Sequence, residues 1–209
     1  MTYEKHTPYS LSDWLAYLSH KEIDFLTELA RSLPEKPDVI NIGAGGGTSG
    51  LALLSARDDL RLTTIDPVKE RNPVGGLENE LGILESSGVS YVGRHTQIQG
   101  DSKKVGRSWD WGLIDMVFVD GDHTYEGCRG DIEEWMPHLR FGGVIALHDY
   151  QKIAAWKRMN PAIEVVTDDM VGHIIKPYPG VDKAVEELLE SVYESLGVVN
   201  TLIAFRKNV

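Results

Sequence analysis

The chain has 209 residues, enough to bury a full core in one domain. Hydrophobic residues make up 42% and charged residues 25%, a globular balance that excludes a disordered chain. The formal net charge of -11, from 32 acidic and 21 basic residues without a Lys/Arg cluster, argues against nucleic acid and anionic membrane surfaces as partners.

In chain order, residues Met1 to Ser10 are polar and lack the apolar core of a signal peptide. No run approaches the ~18 apolar residues of a membrane span. A cytoplasmic protein is expected. Ile23, Leu26, Leu29, Ala30 and Leu33 recur at helical spacing, and Pro34 and Pro37 end that helix. Val39 to Ile42 is a short apolar strand, Thr48 to Ala56 a helix, Leu60 to Ile65 a second strand and Leu77 to Ser87 a second helix. Val89 to Val92 is expected as a third strand.

Ile114 to Val119 is almost wholly apolar, as a strand covered on both faces should be. Tyr125, Cys128, Ile132, Trp135, Met136 and Leu139 mark one helix face. Cys128, the single cysteine, excludes an internal disulfide and reads as a small apolar residue on that face. Gly142 and Gly143 lead into a buried strand, Val144 to Leu147. Val181, Val185, Leu188, Val192 and Leu196 stripe a late helix, and Thr201 to Phe205 is the closing strand.

This alternation predicts an α/β fold: a doubly wound, mainly parallel seven-stranded sheet with helices on both faces. One domain is expected over 1–209, with N-terminal helices at 1–37, a core at 38–150, an insertion or lid at 151–180, and a C-terminal helix and strand at 181–209.

The first strand runs into Gly43-Ala44-Gly45-Gly46-Gly47-Thr48-Ser49-Gly50. Such a turn lets a ligand approach the backbone beside the N–H groups of a helix start. Gly45, Gly47 and Gly50 also fit a dinucleotide-binding pattern, so the turn alone does not choose the cofactor. Asp66 ends the second strand, where a doubly wound sheet would put its carboxylate in reach of ribose hydroxyls.

Asp120-Gly121-Asp122-His123 and His148-Asp149-Tyr150 follow two more strands. Two strand-end acids can share a divalent metal, and a histidine beside them can take a proton near neutral pH. Equally, Asp122 or Thr124 would serve as a helix cap and His148 as a satisfied buried side chain.

Val39 to Gly50, Thr63 to Pro67, Gly100-Asp101-Ser102 and Ile114 to Tyr150 together resemble class I S-adenosylmethionine-dependent methyltransferases, small-molecule O-methyltransferases in particular. The run Val119 to Glu126, then Asp131, Trp135, Pro137, Leu139, Gly142-Gly143 and His148-Asp149, is its most specific part. The resemblance implies methyl transfer from S-adenosylmethionine to a small-molecule acceptor, with an oxygen nucleophile favoured and nitrogen the alternative. Gly43, Ala44, Gly45, Gly47, Thr48 and Ser49 would form the cofactor loop under the methionine part. Asp66 would bind the ribose, Asp101 and Ser102 would lie near the adenine, and Asp120 would face the methionine end and the acceptor.

In metal-dependent relatives the counterparts of Asp120 and Asp149 hold Mg²⁺ or another divalent cation, and the general base matches His123. Two positions depart from the family. Asn41 stands where an acid usually meets the cofactor's amino group, and Tyr150 replaces a metal-binding Asn. A homodimer is compatible with this reading. Its rivals are an NAD-type oxidoreductase on a Rossmann-like core, a non-catalytic S-adenosylmethionine-binding protein and, more distantly, a hydroxylase of the cephalosporin type.

Overall fold

A computed structural model describes residues 18–71, 73, 75–150 and 179–208. The elements in chain order are α1 His20–Arg31, β1 Asp38–Ile42, α2 Thr48–Ala56, β2 Arg61–Asp66, α3 Leu77–Ser87, β3 His95–Gln99 and α4 Ser102–Arg107. They continue with β4 Ile114–Val119, α5 Tyr125–Trp135, β5 Leu139–Leu147, α6 Pro179–Leu188, β6 Glu194–Val199 and β7 Leu202–Arg206. One seven-stranded sheet runs β3-β2-β1-β4-β5-β7-β6. β1 pairs in parallel with β2 and β4, β2 with β3 and β4 with β5, while β7 runs against both its neighbours.

The central strands are apolar on both sides because helices cover both sides. Val39, Leu62, Met116 and Phe118 pack with Leu26 of α1 and Leu51 and Leu54 of α2. The alternate residues Ile40, Val117 and Ile145 pack with Ile132 and Trp135 of α5 and Val185 of α6. Cys128 is buried in this second layer, and burial pushes its thiol up to about 12, in keeping with a packing role. Among the described residues no helix is long and apolar enough to cross a membrane.

Three boundaries differ from expectation. The third strand is His95–Gln99, and Val89 to Val92 lies in the connection before it. The helix predicted to run through Leu196 stops at Leu188, and Glu194–Val199 forms an edge strand instead. β5 starts at Leu139, so the face read as helical through Leu139 ends at Trp135. The expected insertion at 151–180 falls outside the described residues, except that Pro179 and Gly180 begin α6.

Consecutive elements build outward from β1 in both directions, so the chain reverses between β1 and β4. A doubly wound sheet opens its ligand crevice at that point, beyond the carboxyl ends of the strands. Gly43, Asp66, Asp120 and the His148-Asp149 pair all lie at those ends.

Candidate active site

The cleft has a volume of about 460 Å³ and is lined by Ile42 to Gly46, Thr48, Ser49, Ile65 to Pro67, Gly100 to Lys103 and Asp120 to His123. That size suits a small organic ligand. Its floor is the glycine turn. Gly43 has φ +96, and its N–H donates to the Ile65 carbonyl at 2.9 Å. A Cβ at Gly43 would collide with the Asp120 carbonyl oxygen and lie 2.9 Å from its carbonyl carbon. Gly47, at φ +93, starts α2 with no side-chain cap for the first N–H groups of that helix, whose Thr48 and Ser49 line the cleft. Thr48 Oγ1 is buried and has no hydrogen-bond partner among the described residues. A cradle a side chain would fill and an orphaned hydroxyl at a helix start are the marks of a site shaped for a ligand.

Asp66 ties this floor together. Its Oδ2 accepts the Ala44 N–H at 2.8 Å and its Oδ1 accepts the Val68 N–H at 2.7 Å. A carboxylate has about four acceptor positions, so two stay open for hydroxyl donors. Asp101 caps α4 by accepting the Lys103 and Lys104 N–H groups at 3.0 and 3.2 Å. Ser102 donates its Oγ–H to Oδ1 of Asp131, whose carboxyl burial pushes up to about 6. Asn41 does not line the cleft. It is fully buried and donates to Thr64 Oγ1 at 3.4 Å.

At the other end, Asp120, His123 and Asp149 come together. His123 Nε2 lies 3.1 Å from Asp120 Oδ1 and 3.4 Å from Asp149 Oδ2. Asp149 sits at φ +61, a backbone position uncommon for a residue other than glycine, which aims a strand-end carboxylate at this cluster. One ligand atom from each of the three lies within 4.8 Å of the others, a spacing one cation could bridge. Two carboxylates and one imidazole suit a hard divalent ion that keeps several waters. Tyr150 takes no part in this cluster through its hydroxyl, which donates to Glu190 Oε1 at 2.8 Å. Thr124 caps α5, its Oγ1 accepting from the Gly127 N–H, and Asp122 Oδ1 accepts the Thr124 N–H.

Behind the cluster stands His148. Its Nδ1 lies 3.2 Å from Asp120 Oδ1, and its Nε2 lies 3.2 Å from Thr201 Oγ1 and 3.5 Å from Glu22 Oε1. Burial opposes a charge on His148, but Asp120, Glu22 and Asp149 around it more than offset this and hold its pKa well above 6.5. Burial likewise opposes ionisation of Asp120, and the charge and hydrogen bonds of His148 and His123 hold that carboxyl well below the usual range.

Glu22 and Thr201 escaped the sequence reading. Glu22 accepts from Ser19 in a capping box, a local pattern, and from the Thr201 N–H and Oγ–H at 2.9 and 2.7 Å. Against the cost of burial, hydrogen bonds from His148, Thr201 and Ser19 lower the Glu22 pKa from 4.5 to about 2. A depressed carboxyl pKa contributes stability above the unfolded value and loses it as pH falls through the folded one. Glu22→Gln should therefore cost on the order of 2 kcal/mol near pH 6. Urea melts at a series of pH values should show that difference shrinking as the solution is acidified from 4.5 toward 2. A difference that stays constant over this range would refute the charge-based account.

A family model described as "Methyltransferase domain" matches residues 40–150. A protein of Mycolicibacterium smegmatis, whose O-methyltransferase assignment is itself an inference, is 36% identical over 111 residues, 53% of this chain and 49% of its own length. The chain thus spans about half the length of that curated relative. Among solved structures, the O-methyltransferase TomG of Streptomyces achromogenes, in complex with SAM, superposes with a TM-score of 0.65 at 20% identity. That superposition covers 99% of this chain and 92% of TomG. The SAH-bound methyltransferase PaMTH1 of Podospora anserina gives a TM-score of 0.65 at 18% identity, covering 92% and 80% of the two chains.

Proposed function

Because the chain belongs to the methyltransferase-domain family, we propose that it transfers the methyl group of S-adenosylmethionine to an oxygen of a small-molecule acceptor. One observation carries the reading. The glycine floor, the Asp66 carboxylate and the Asp120–His123 pair line a single cleft, and Asp149 completes the pair's cluster from the neighbouring strand end. S-adenosylmethionine, when bound, supplies an electrophilic methyl group on a sulfonium. The rest of the work falls to positioning and proton removal.

The turn from Gly43 to Gly47 and the first N–H groups of α2 would hold the methionine part, with Thr48 and Ser49 beside them. Asp66 would accept from the ribose hydroxyls, and Asp101 and Ser102, which also line the cleft, would flank the base. Asp120 and Asp149 orient the acceptor hydroxyl, and the imidazole of His123, held between them through Nε2–H, takes its proton on the other ring nitrogen. A divalent cation held by Asp120 and Asp149 would lower the acceptor's own pKa and ease that step.

The direct test uses S-adenosylmethionine carrying a labelled methyl group and a panel of small phenols, catechols and hydroxy acids, with and without Mg²⁺. Label appearing in an acceptor, and lost on His123→Ala, is the expected result. S-adenosylmethionine binding without transfer to any of these acceptors, or to amines added to the panel, would favour a non-catalytic binding protein.

A further inference from the structure

One buried group beside the cleft is still without a role. Asp131 of α5 is fully buried, and its Oδ2 has no hydrogen-bond partner among the described residues. It lies directly behind the cleft wall: a Cβ at Gly121, which lines the cleft, would stand 3.9 Å from that oxygen. Its Oδ1 accepts the hydroxyl proton of Ser102, which lines the cleft as well. Ser102 is itself pinned, because its carbonyl accepts the Trp135 indole N–H at 3.2 Å. A buried carboxyl is a costly neighbour for a serine that only starts a short helix, and Asp101 already caps that helix.

The order of groups along the strand ends says what Ser102 faces. Residues 100–103 follow β3, Asp66 ends β2, Gly43 follows β1 and Asp120 follows β4. A nucleoside with its reacting group at Asp120 and its ribose diol at Asp66 has only the Gly100–Lys103 end left for its base. A hydroxyl carries one proton and two acceptor positions. With the proton committed to a carboxylate, the Ser102 oxygen can offer the cleft nothing but lone pairs.

We propose that Asp131 is a positioning residue that fixes the Ser102 hydroxyl as an acceptor, so that the site selects a base bearing an exocyclic amino group over one bearing a keto group. The inference rests on the methyltransferase reading for the kind of nucleoside bound. It goes beyond that reading by naming the atom pair that distinguishes adenine from hypoxanthine. Opposing a keto oxygen to the Ser102 oxygen would bury two acceptors against each other, which weakens binding by about tenfold or more.

The test is calorimetric titration of the full chain with S-adenosylhomocysteine and with S-inosylhomocysteine, which differ at that edge of the base. Wild type should prefer the adenine compound by at least about tenfold. Asp131→Leu frees the Ser102 hydroxyl to turn and donate, so the preference should fall to within about threefold. Asp131→Asn keeps a carbonyl to accept the serine proton and should retain most of it. A purely structural role for Asp131 would weaken both ligands equally and leave their ratio unchanged, which would overturn the proposal. Should Asp131→Leu not fold, Ser102→Ala removes the acceptor itself and must abolish the preference. Wild type binding both compounds equally refutes this inference alone, whereas wild type binding neither refutes the methyltransferase reading as well.

Discussion

Gly43→Ala should abolish S-adenosylhomocysteine binding and lower the melting temperature by about 10 °C. Two penalties add. The residue sits at φ +96, where an L side chain is strained, and its Cβ would collide with the Asp120 carbonyl oxygen. Neither backbone can retreat easily, because the Asp120 N–H donates to the Ile42 carbonyl at 2.9 Å and the Gly43 N–H to the Ile65 carbonyl at 2.9 Å. Strain and overpacking of this kind together cost about 4 kcal/mol, and each kcal/mol moves the melting point of a chain this size by about 2–4 °C. Gly142→Ala is the control. Its φ of +80 brings the strain, but nothing lies within 4 Å of its Cβ, so it should cost only about 1–2 kcal/mol and leave ligand binding intact. Equal losses in the two variants would show that backbone strain alone decides, and that the contact between the turn and Asp120 does not matter.

His123→Ala should slow methyl transfer by about a hundredfold or more while leaving S-adenosylhomocysteine affinity within about twofold. The imidazole lies 3.1 Å from Asp120 and 3.4 Å from Asp149, at the end of the cleft away from Asp101 and Ser102. On the proposed reading it meets the acceptor's proton and not the groups assigned to the nucleoside. Turnover is best measured at saturating S-adenosylmethionine with an acceptor that wild type methylates, so that the loss appears in kcat. Equal rates for the two proteins would leave His123 as a residue at a helix start and move proton removal elsewhere. Loss of binding along with turnover would instead mark it as part of the nucleoside site.

The strand-end acids were legible because their strands are. β4 is six buried residues in a row and then Asp120, so the place where the apolar run stops is also where the sheet opens to the crevice. Asp66 follows from the same logic on β2. The edge strands hid because an edge needs little apolar surface. β3 reads His-Thr-Gln-Ile-Gln, and the more apolar Val89 to Val92 drew the strand assignment instead. At the other edge, Val192 and Leu196 continue the helical spacing of α6 by coincidence, and β6 carries only intermediate and exposed residues.

The support behind the active-site cluster could not be read at all. Glu22 and Thr201 are 179 positions apart, and only the sheet order brings β7 beside β5 and α1 across its end. His148 carried a sequence signal but not a role. Its neighbours on both ring nitrogens, Asp120, Thr201 and Glu22, come from three different elements or their ends, and no spacing rule connects them. Ser102 and Asp131 were both in the family pattern, yet their hydrogen bond depends on α4 packing on α5, a contact between helices that the sequence does not announce.

The glycine turn fits two cofactor classes, so the central claim is tested most directly by asking which one the folded protein binds. Thermal melting with S-adenosylhomocysteine and, separately, with NAD gives the answer, because a ligand that binds only the folded chain stabilises it by RT ln(1 + [L]/Kd). At a concentration a hundred times Kd this amounts to about 2.7 kcal/mol, or several degrees in a chain this size. S-adenosylhomocysteine should raise the melting point by that amount, NAD should not, and Asp66→Ala should remove most of the shift by deleting the acceptor for the ribose hydroxyls. Stabilisation by NAD with none from S-adenosylhomocysteine would contradict the assignment.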